Sequence, residues 1–209
     1  MLKLIRKDLK LNFSNKESLL LTLLFIPFIM LLLDFSVNEQ AIAVMIFATN
    51  YVLTITPFGY EEKSKPLILI QSLPITKKET VISKYIIIFI NYILVIVYTY
   101  IYLWIISFFG NRNLDSFNIS IIRLTLPIVI LFVSTILPAY FRLVPRFANA
   151  VGVGVFIFTS NTFLTFNFEK TSMKILDNSN PLLIPLIAVI VYFISMGVSI
   201  ALYENRELY

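Results

Sequence analysis

The sequence predicts an all-helical integral membrane protein, a single transmembrane domain over 1–209 with six transmembrane helices. Apolar residues make up 58% of the 209 positions and charged residues only 14%, whereas soluble domains carry about 25% charged residues. A bilayer core about 30 Å thick needs about 20 apolar residues in helix. Six runs approach or exceed that length: 18–35, 41–58, 85–109, 121–141, 147–166 and 182–203.

The first sixteen residues have an amphipathic pattern instead of an apolar one. Leu2, Ile5 and Leu9 fall on one helical face, widened by Leu4, Leu11 and Phe13. The opposite face carries four basic residues: Lys3, Arg6, Lys7 and Lys10. This pattern predicts an interfacial helix over 1–16 that lies beside anionic lipid headgroups. A basic start that only orients the first span would explain the charges but not the apolar face.

The spans contain prolines and neutral polar residues. We expect kinks rather than breaks at Pro27, Pro127, Pro138 and Pro185, because neighbouring helices can satisfy the freed carbonyls. The neutral polar residues are expected mainly to bond neighbouring helices: Thr49, Asn50, Thr54, Thr56, Asn91, Ser134, Thr135, Ser160, Asn161 and Thr162.

Lysines and arginines lie mostly on one side of the predicted bundle. Thirteen of the 17 fall at the two termini and in the second and fourth connections, and four fall on the other side. The positive-inside rule therefore predicts that both termini and the 60–84 segment are cytosolic. Because these charges stand at segment ends and form no continuous stripe, they do not favour nucleic-acid binding.

The 60–84 segment is the longest interruption between apolar runs. Pro66 can open a short helix and Pro74 can stop it, leaving an apolar stretch at 67–70 that is too hydrophobic to remain in water. We interpret the segment as a surface that a soluble partner grips. The alternative is that 67–70 dips into the membrane interface.

A helix-start signal closes this segment. Thr76-Lys77-Lys78-Glu79 has the form of a capping box, in which a threonine and a glutamate three residues later satisfy each other's backbone N–H groups. It predicts a new helix that runs through Ser83 and Lys84 into the third span.

The layout resembles the permease subunits of type-2 ABC exporters, and the loop motif is similar to that of a small bacterial branch of that family. The matching loop residues are Leu73, Pro74, Ile75, Thr76, Lys77, Lys78 and Glu79, and the upstream acidic-basic cluster is Glu61, Glu62 and Lys63. The motif covers residues 60–85, and the layout covers the whole chain. The basic positions are lysines here, where arginine is frequent in the family and would allow bidentate contacts.

The resemblance implies a division of labour between polypeptides. Two permease subunits, identical or related, would pair in a bacterial plasma membrane, each held by a separate P-loop ATPase that binds ATP and Mg²⁺. The Pro66–Glu79 stretch would be the cytosolic coupling helix between spans 2 and 3, and this chain would carry no cofactor. A P-loop needs a glycine-rich turn ending in Gly-Lys-Ser/Thr, which the five glycines never form.

The scarcity of buried charge in the sequence bears on the cargo, and two rival functions stand beside the transporter interpretation. Surfaces of Ile, Leu, Phe and Tyr suit amphipathic or hydrophobic peptides, and the branch includes exporters of phenol-soluble modulins and proteins linked to antimicrobial-peptide resistance. The first rival is an ATPase-independent membrane interaction or immunity protein that binds such peptides. The second is a membrane enzyme, which Glu61-Glu62 alone cannot support because the chain has no histidine and no cysteine.

Two overlapping small-residue pairs lie at the start of the fifth span: Ala148 with Gly152, and Ala150 with Gly154. Small residues four apart let helix backbones approach closely. The sequence leaves open whether this packing is within one subunit or between two.

Overall fold

The computed structural model describes residues 1–14, 16–32, 38–64, 76–110, 117–165 and 183–205. The helices in these ranges are α1 Leu2–Ser14, α2 Lys16–Leu32, α3 Glu39–Ser64, α4 Lys77–Gly110, α5 Ile119–Arg142, α6 Pro145–Thr165 and α7 Leu183–Glu204. The described ranges contain no strand. The all-helical fold class is confirmed.

Four of the described helices are long and apolar enough to cross a membrane. They occupy Glu39–Tyr60, Lys77–Phe108, Ile119–Arg142 and Leu183–Glu204. The other two predicted spans, 18–35 and 147–166, coincide with α2 and α6 but run past the described residues. The chain is thus an integral membrane protein, and the number six for its crossings stays a prediction.

Helix α3 lies at the centre of the bundle. Residues 41–50 are all buried, so this part of the helix is covered on every side. The Phe47 ring packs edge-on against Phe132 of α5 at 4.7 Å and stacks on Phe156 of α6 at 5.6 Å. These ring contacts hold α3, α5 and α6 together through offset and edge-to-face geometry, which aromatic pairs prefer.

Prolines interrupt several helices, and the helices continue through them as expected. A proline has no N–H, so it leaves the carbonyl four residues earlier without its usual donor. Pro27 of α2 frees the Leu23 carbonyl in this way. The Tyr98 hydroxyl of α4 donates to that carbonyl at 2.8 Å, so a neighbouring helix supplies the lost hydrogen bond.

Pro57 of α3 leaves the Leu53 carbonyl without its usual donor, and side chains from two other helices donate to it instead. The Asn12 amide of α1 donates to this oxygen at 3.2 Å, and the Asn91 amide of α4 donates to it at 3.4 Å. Both asparagines are buried. One proline therefore ties three helices together at a single carbonyl.

Pro138 of α5 frees the Ser134 carbonyl, which accepts a hydrogen bond from the Ser195 hydroxyl of α7 at 2.6 Å. Ser195 also lies 2.7 Å from the hydroxyl of Tyr85 in α4, and Ser199 lies 2.8 Å from the same hydroxyl. All these side chains except that of the proline are buried. This hydroxyl cluster joins α4, α5 and α7.

The neutral polar residues divide into two groups. Asn91 bonds a neighbouring helix, as expected. The threonines of α3 instead donate to the carbonyl four residues earlier in their own helix: Thr49, Thr54 and Thr56. A threonine hydroxyl reaches its own helix backbone readily, which is why the expectation of interhelical bonds was wrong for these three.

The two small-residue pairs face different surroundings. Ala148 and Gly152 are buried, and a Cβ added at Gly152 would lie 3.4 Å from the Tyr51 hydroxyl. Ala150 and Gly154 are exposed, and a Cβ at Gly154 would meet nothing within 4 Å. The first pair packs inside the subunit, and the second points away from it.

We predict that Tyr98→Phe lowers the free energy of unfolding by about 1 kcal/mol, a usual size for a hydrogen bond between membrane helices. The loss should shrink in a Pro27→Ala background, because alanine at that position restores an N–H donor for the Leu23 carbonyl. Equilibrium unfolding in mixed micelles measures all four proteins of this double-mutant cycle. Equal losses in both backgrounds would show that Tyr98 does not serve the proline-freed carbonyl.

Candidate functional site

Several helix ends meet at one end of the bundle, which we call the basic end. It contains α1, the end of α3, the start of α4 and the ends of α5 and α7. Phe58 of α3 stacks on Tyr140 of α5 at 4.6 Å, and Phe141 of α5 lies 5.3 Å from Tyr203 of α7. The 60–84 segment begins and ends here.

The predicted capping box is present at the start of α4. The Glu79 backbone N–H donates to the Thr76 hydroxyl at 3.2 Å, and the Thr76 backbone N–H donates to the Glu79 carboxylate at 3.1 Å. Each residue satisfies a backbone donor that the first turn of a helix leaves open. The reciprocal pair fixes where α4 begins.

The first turn of α4 is also attached to the end of α7. The Lys77 ammonium donates to the Glu204 backbone carbonyl at 2.9 Å, and the Lys78 ammonium lies 3.8 Å from the Glu204 carboxylate. The last carbonyls of a helix lack intrahelical donors and attract positive charge. Two lysines of the predicted coupling motif therefore also hold α7.

The remaining coupling residues fall in two places. Glu61, Glu62 and Lys63 form the last turn of α3, which ends at Ser64. The others lie outside the described residues: Pro66, Leu73, Pro74 and Ile75. The structure therefore brings the two flanks of the coupling segment to the basic end, and the coupling role stays a prediction.

Helix α1 packs on the bundle by a face that only partly coincides with its predicted apolar face. Its exposed basic residues are Lys3, Arg6 and Lys10, and Lys7 is half-buried. Leu4 and Ile5 are buried, but Leu2 is 81% exposed. The exposed leucine stands among the basic residues, a combination that suits a lipid interface.

The buried face of α1 carries a charge that the sequence analysis gave no role. The Asp8 carboxylate lies 3.0 Å from the Lys84 ammonium of α4, and their side chains are 1% and 4% exposed. The same ammonium sits over the Phe58 ring of α3, 4.6 Å from its centroid, a favourable cation–π position. The charge count of the sequence indicates only an orienting role for Lys84.

A second group of buried polar residues lies on α7, and its helical periodicity can be recognised in the sequence. The buried residues of α7 recur at helical spacing and include polar members: Ala188, Tyr192, Ser195, Ser199 and Tyr203. Tyr192, Ser195 and Ser199 of this stripe contact Tyr85, while apolar side chains such as Phe193 and Ile194 face outward. In an apolar span, hydroxyls repeated four residues apart indicate a helix-packing face.

Helix α4 connects the basic end to several other helices of the bundle. Helix α4 has 34 residues and is continuous from its capped start, so at 1.5 Å per residue it is about 50 Å long. It is hydrogen-bonded to α2, α3, α5 and α7 along its length. A displacement of its first turn would therefore be carried into the membrane-spanning part.

Comparison with known families gives one finding. Residues 3–204 match the model of a family described as "ABC-2 family transporter protein". No curated protein and no solved structure matches this chain. The match covers nearly all of the sequence and agrees with the resemblance noted in the loop motif.

We predict that Thr76→Ala raises amide exchange at residues 77–80 about fivefold, the equivalent of the about 1 kcal/mol that an N-cap contributes. Thr76→Ser keeps the hydroxyl and should leave exchange nearly unchanged. Hydrogen–deuterium exchange followed by mass spectrometry measures both variants. The capping assignment fails if alanine and serine have the same effect.

Proposed function

This chain belongs to the ABC-2 family of transporter proteins, and on that premise we propose that it is the permease subunit of an ATP-driven exporter in a bacterial plasma membrane. A separate P-loop ATPase binds ATP and Mg²⁺ and hydrolyses the nucleotide. Two permease subunits, identical or related, form the transmembrane part. The family is the membrane component of such transporters, not the ATPase.

The energy enters through the 60–84 segment. The observation that carries this proposal is the capped start of α4, where Thr76 and Glu79 lie at the surface of the basic end. A partner that pulls on the segment acts directly on the first turn of a long, continuous helix. The cytosolic placement of this end, and of both chain termini, is supported by the excess of basic residues there.

The glycines of the chain do not form a nucleotide site. Gly59, Gly152, Gly154 and Gly197 lie inside helices, and Gly110 ends α4. None precedes the Lys-Ser/Thr pair that a P-loop requires. This distribution supports an energy source on another polypeptide.

We propose amphipathic or hydrophobic peptides as the cargo. Large apolar side chains are exposed along α4, α6 and α7, including Trp104, Phe158 and Phe193. The buried charge of the described spans, Lys84, is paired with Asp8, and the other charged residues of these spans lie near helix ends, which disfavours coupling to protons or ions through an unpaired buried charge. Peptides that travel along the membrane boundary match such surfaces.

Replacing Leu73, Pro74 and Thr76 together with alanine should abolish stimulation of the partner ATPase without lowering membrane insertion. All three residues belong to the predicted coupling stretch. The measurement is ATP hydrolysis by the ATPase that co-purifies with the chain, with and without the permease, in liposomes.

A matched control carries three alanines at exposed positions at the other end of the bundle: Asn118, Ile119 and Arg123. It should stimulate the ATPase like the natural chain. The coupling proposal is contradicted if the two triple variants behave alike.

An amphipathic helical peptide should stimulate ATP hydrolysis by the complete complex and accumulate inside inverted vesicles only when ATP is present. A neutral sugar of similar mass serves as the negative control. Peptide protection of cells that persists when the ATPase gene is deleted would instead favour the ATPase-independent immunity protein.

A further inference from the structure

The Asp8–Lys84 pair joins two helices at the basic end. The two charged atoms are 3.0 Å apart and almost fully shielded from solvent. The other carboxylate oxygen of Asp8 lies 3.4 Å from the Lys7 ammonium. A buried carboxylate thus stands between a lysine of its own helix and a lysine of α4.

The surroundings of the pair include the central helix. Phe58 of α3 lies under the Lys84 ammonium, and Asn12, one turn after Asp8, donates to the Leu53 carbonyl of α3. Helix α1 is therefore attached to α3 by an amide and to α4 by an ion pair. The two attachments are chemically separable.

Stability alone is a weak reason for such a pair. Removing two charges from water is costly, and apolar residues of similar size often stabilise a protein equally well or better. In some proteins a buried polar or charged pair is retained because it fixes a single register between two elements. An apolar interface allows sliding, whereas an ion pair with one short contact resists it.

The position of Lys84 along α4 explains what a fixed register between α1 and α4 would achieve. Lys84 is eight residues after Thr76, so it lies about 12 Å along α4 from the capped start. Helix α2 begins at Lys16, only two residues after α1 ends at Ser14. A movement of the first turn of α4 would reach α1 through Asp8 and then the helix that follows.

We propose that Asp8 and Lys84 are positioning residues that make α1 move as one body with the start of α4, so that motion entering at the 60–84 segment also reaches α1 and α2. This inference rests on the proposed function, because it needs nucleotide-driven motion at that segment. The pair acts through the helices that it joins and touches neither nucleotide nor cargo.

The decisive variant is Asp8→Leu/Lys84→Met, which replaces both charges with apolar side chains and leaves no buried charge unpaired. Asn12 is retained, so α1 remains attached to α3. The control is Thr125→Val, which removes a buried contact of 2.7 Å with the Tyr92 hydroxyl but keeps the hydrogen bond from that hydroxyl to the Ile122 carbonyl. Lys84→Arg keeps the charge and should retain the coupling.

The natural chain has no cysteine, so spin labels can be placed at chosen exposed positions. We choose Lys10→Cys on α1, Phe89→Cys on α4 and Val153→Cys on α6. Pulsed electron paramagnetic resonance on the complex with its ATPase then gives three distances, with and without trapped nucleotide. ATP hydrolysis is measured on the same samples.

In the natural complex, trapped nucleotide should change the α4–α6 distance while the α1–α4 distance stays constant. In the apolar double variant the α1–α4 distance should change, and ATPase stimulation should fall about fivefold or more, the lower bound of a typical coupling between sites. The control variant and Lys84→Arg should behave like the natural chain.

Two results overturn the inference, and they can be told apart. If the double variant inserts and keeps a constant α1–α4 distance with full stimulation, Asp8 and Lys84 have no positioning role although the proposed function stands. If the natural complex shows no ATPase stimulation and no nucleotide-dependent distance, the proposed function fails, and the inference about Asp8 and Lys84 fails with it.

Discussion

The backbone of a membrane protein must satisfy its hydrogen bonds within the protein, because lipid offers no donors. Pro27, Pro57 and Pro138 each break this rule locally, since each leaves one carbonyl without an N–H partner. Side chains from other helices donate hydrogen bonds to all three carbonyls: a tyrosine, two asparagines and a serine. At each of these three prolines, a hydrogen bond thus links neighbouring helices at a defined position.

Helix α4 supplies two of these four side chains. It provides Asn91 and Tyr98 for two of the freed carbonyls, and its Tyr85 joins the hydroxyl cluster around the third. Its first turn is capped and holds the end of α7. A helix that is bonded to its neighbours from Lys77 to Tyr98 and begins at the 60–84 segment is well suited to carry a movement from that segment into the bundle.

The sequence was sufficient for the parts of the structure that depend on local patterns. Apolar runs located the helices to within a few residues of their observed ends at most boundaries, and the Thr76–Glu79 spacing located the start of α4. Hydrogen-bond partners across helices were not predictable, because they depend on how the helices rotate and pack. Asp8 shows this limit: no local pattern assigns it a role, and only the packed bundle places it against Lys84.

The claim that an ATPase drives this chain through the basic end is tested most directly by photo-cross-linking in living cells. The photoreactive residue p-benzoylphenylalanine replaces Lys78, whose side chain is 63% exposed, or Phe108 at the other end of the bundle as a control. The account predicts that irradiation links position 78, and not position 108, to a P-loop ATPase identified by mass spectrometry. Cross-links to that ATPase from neither position, or equally from both, would contradict it.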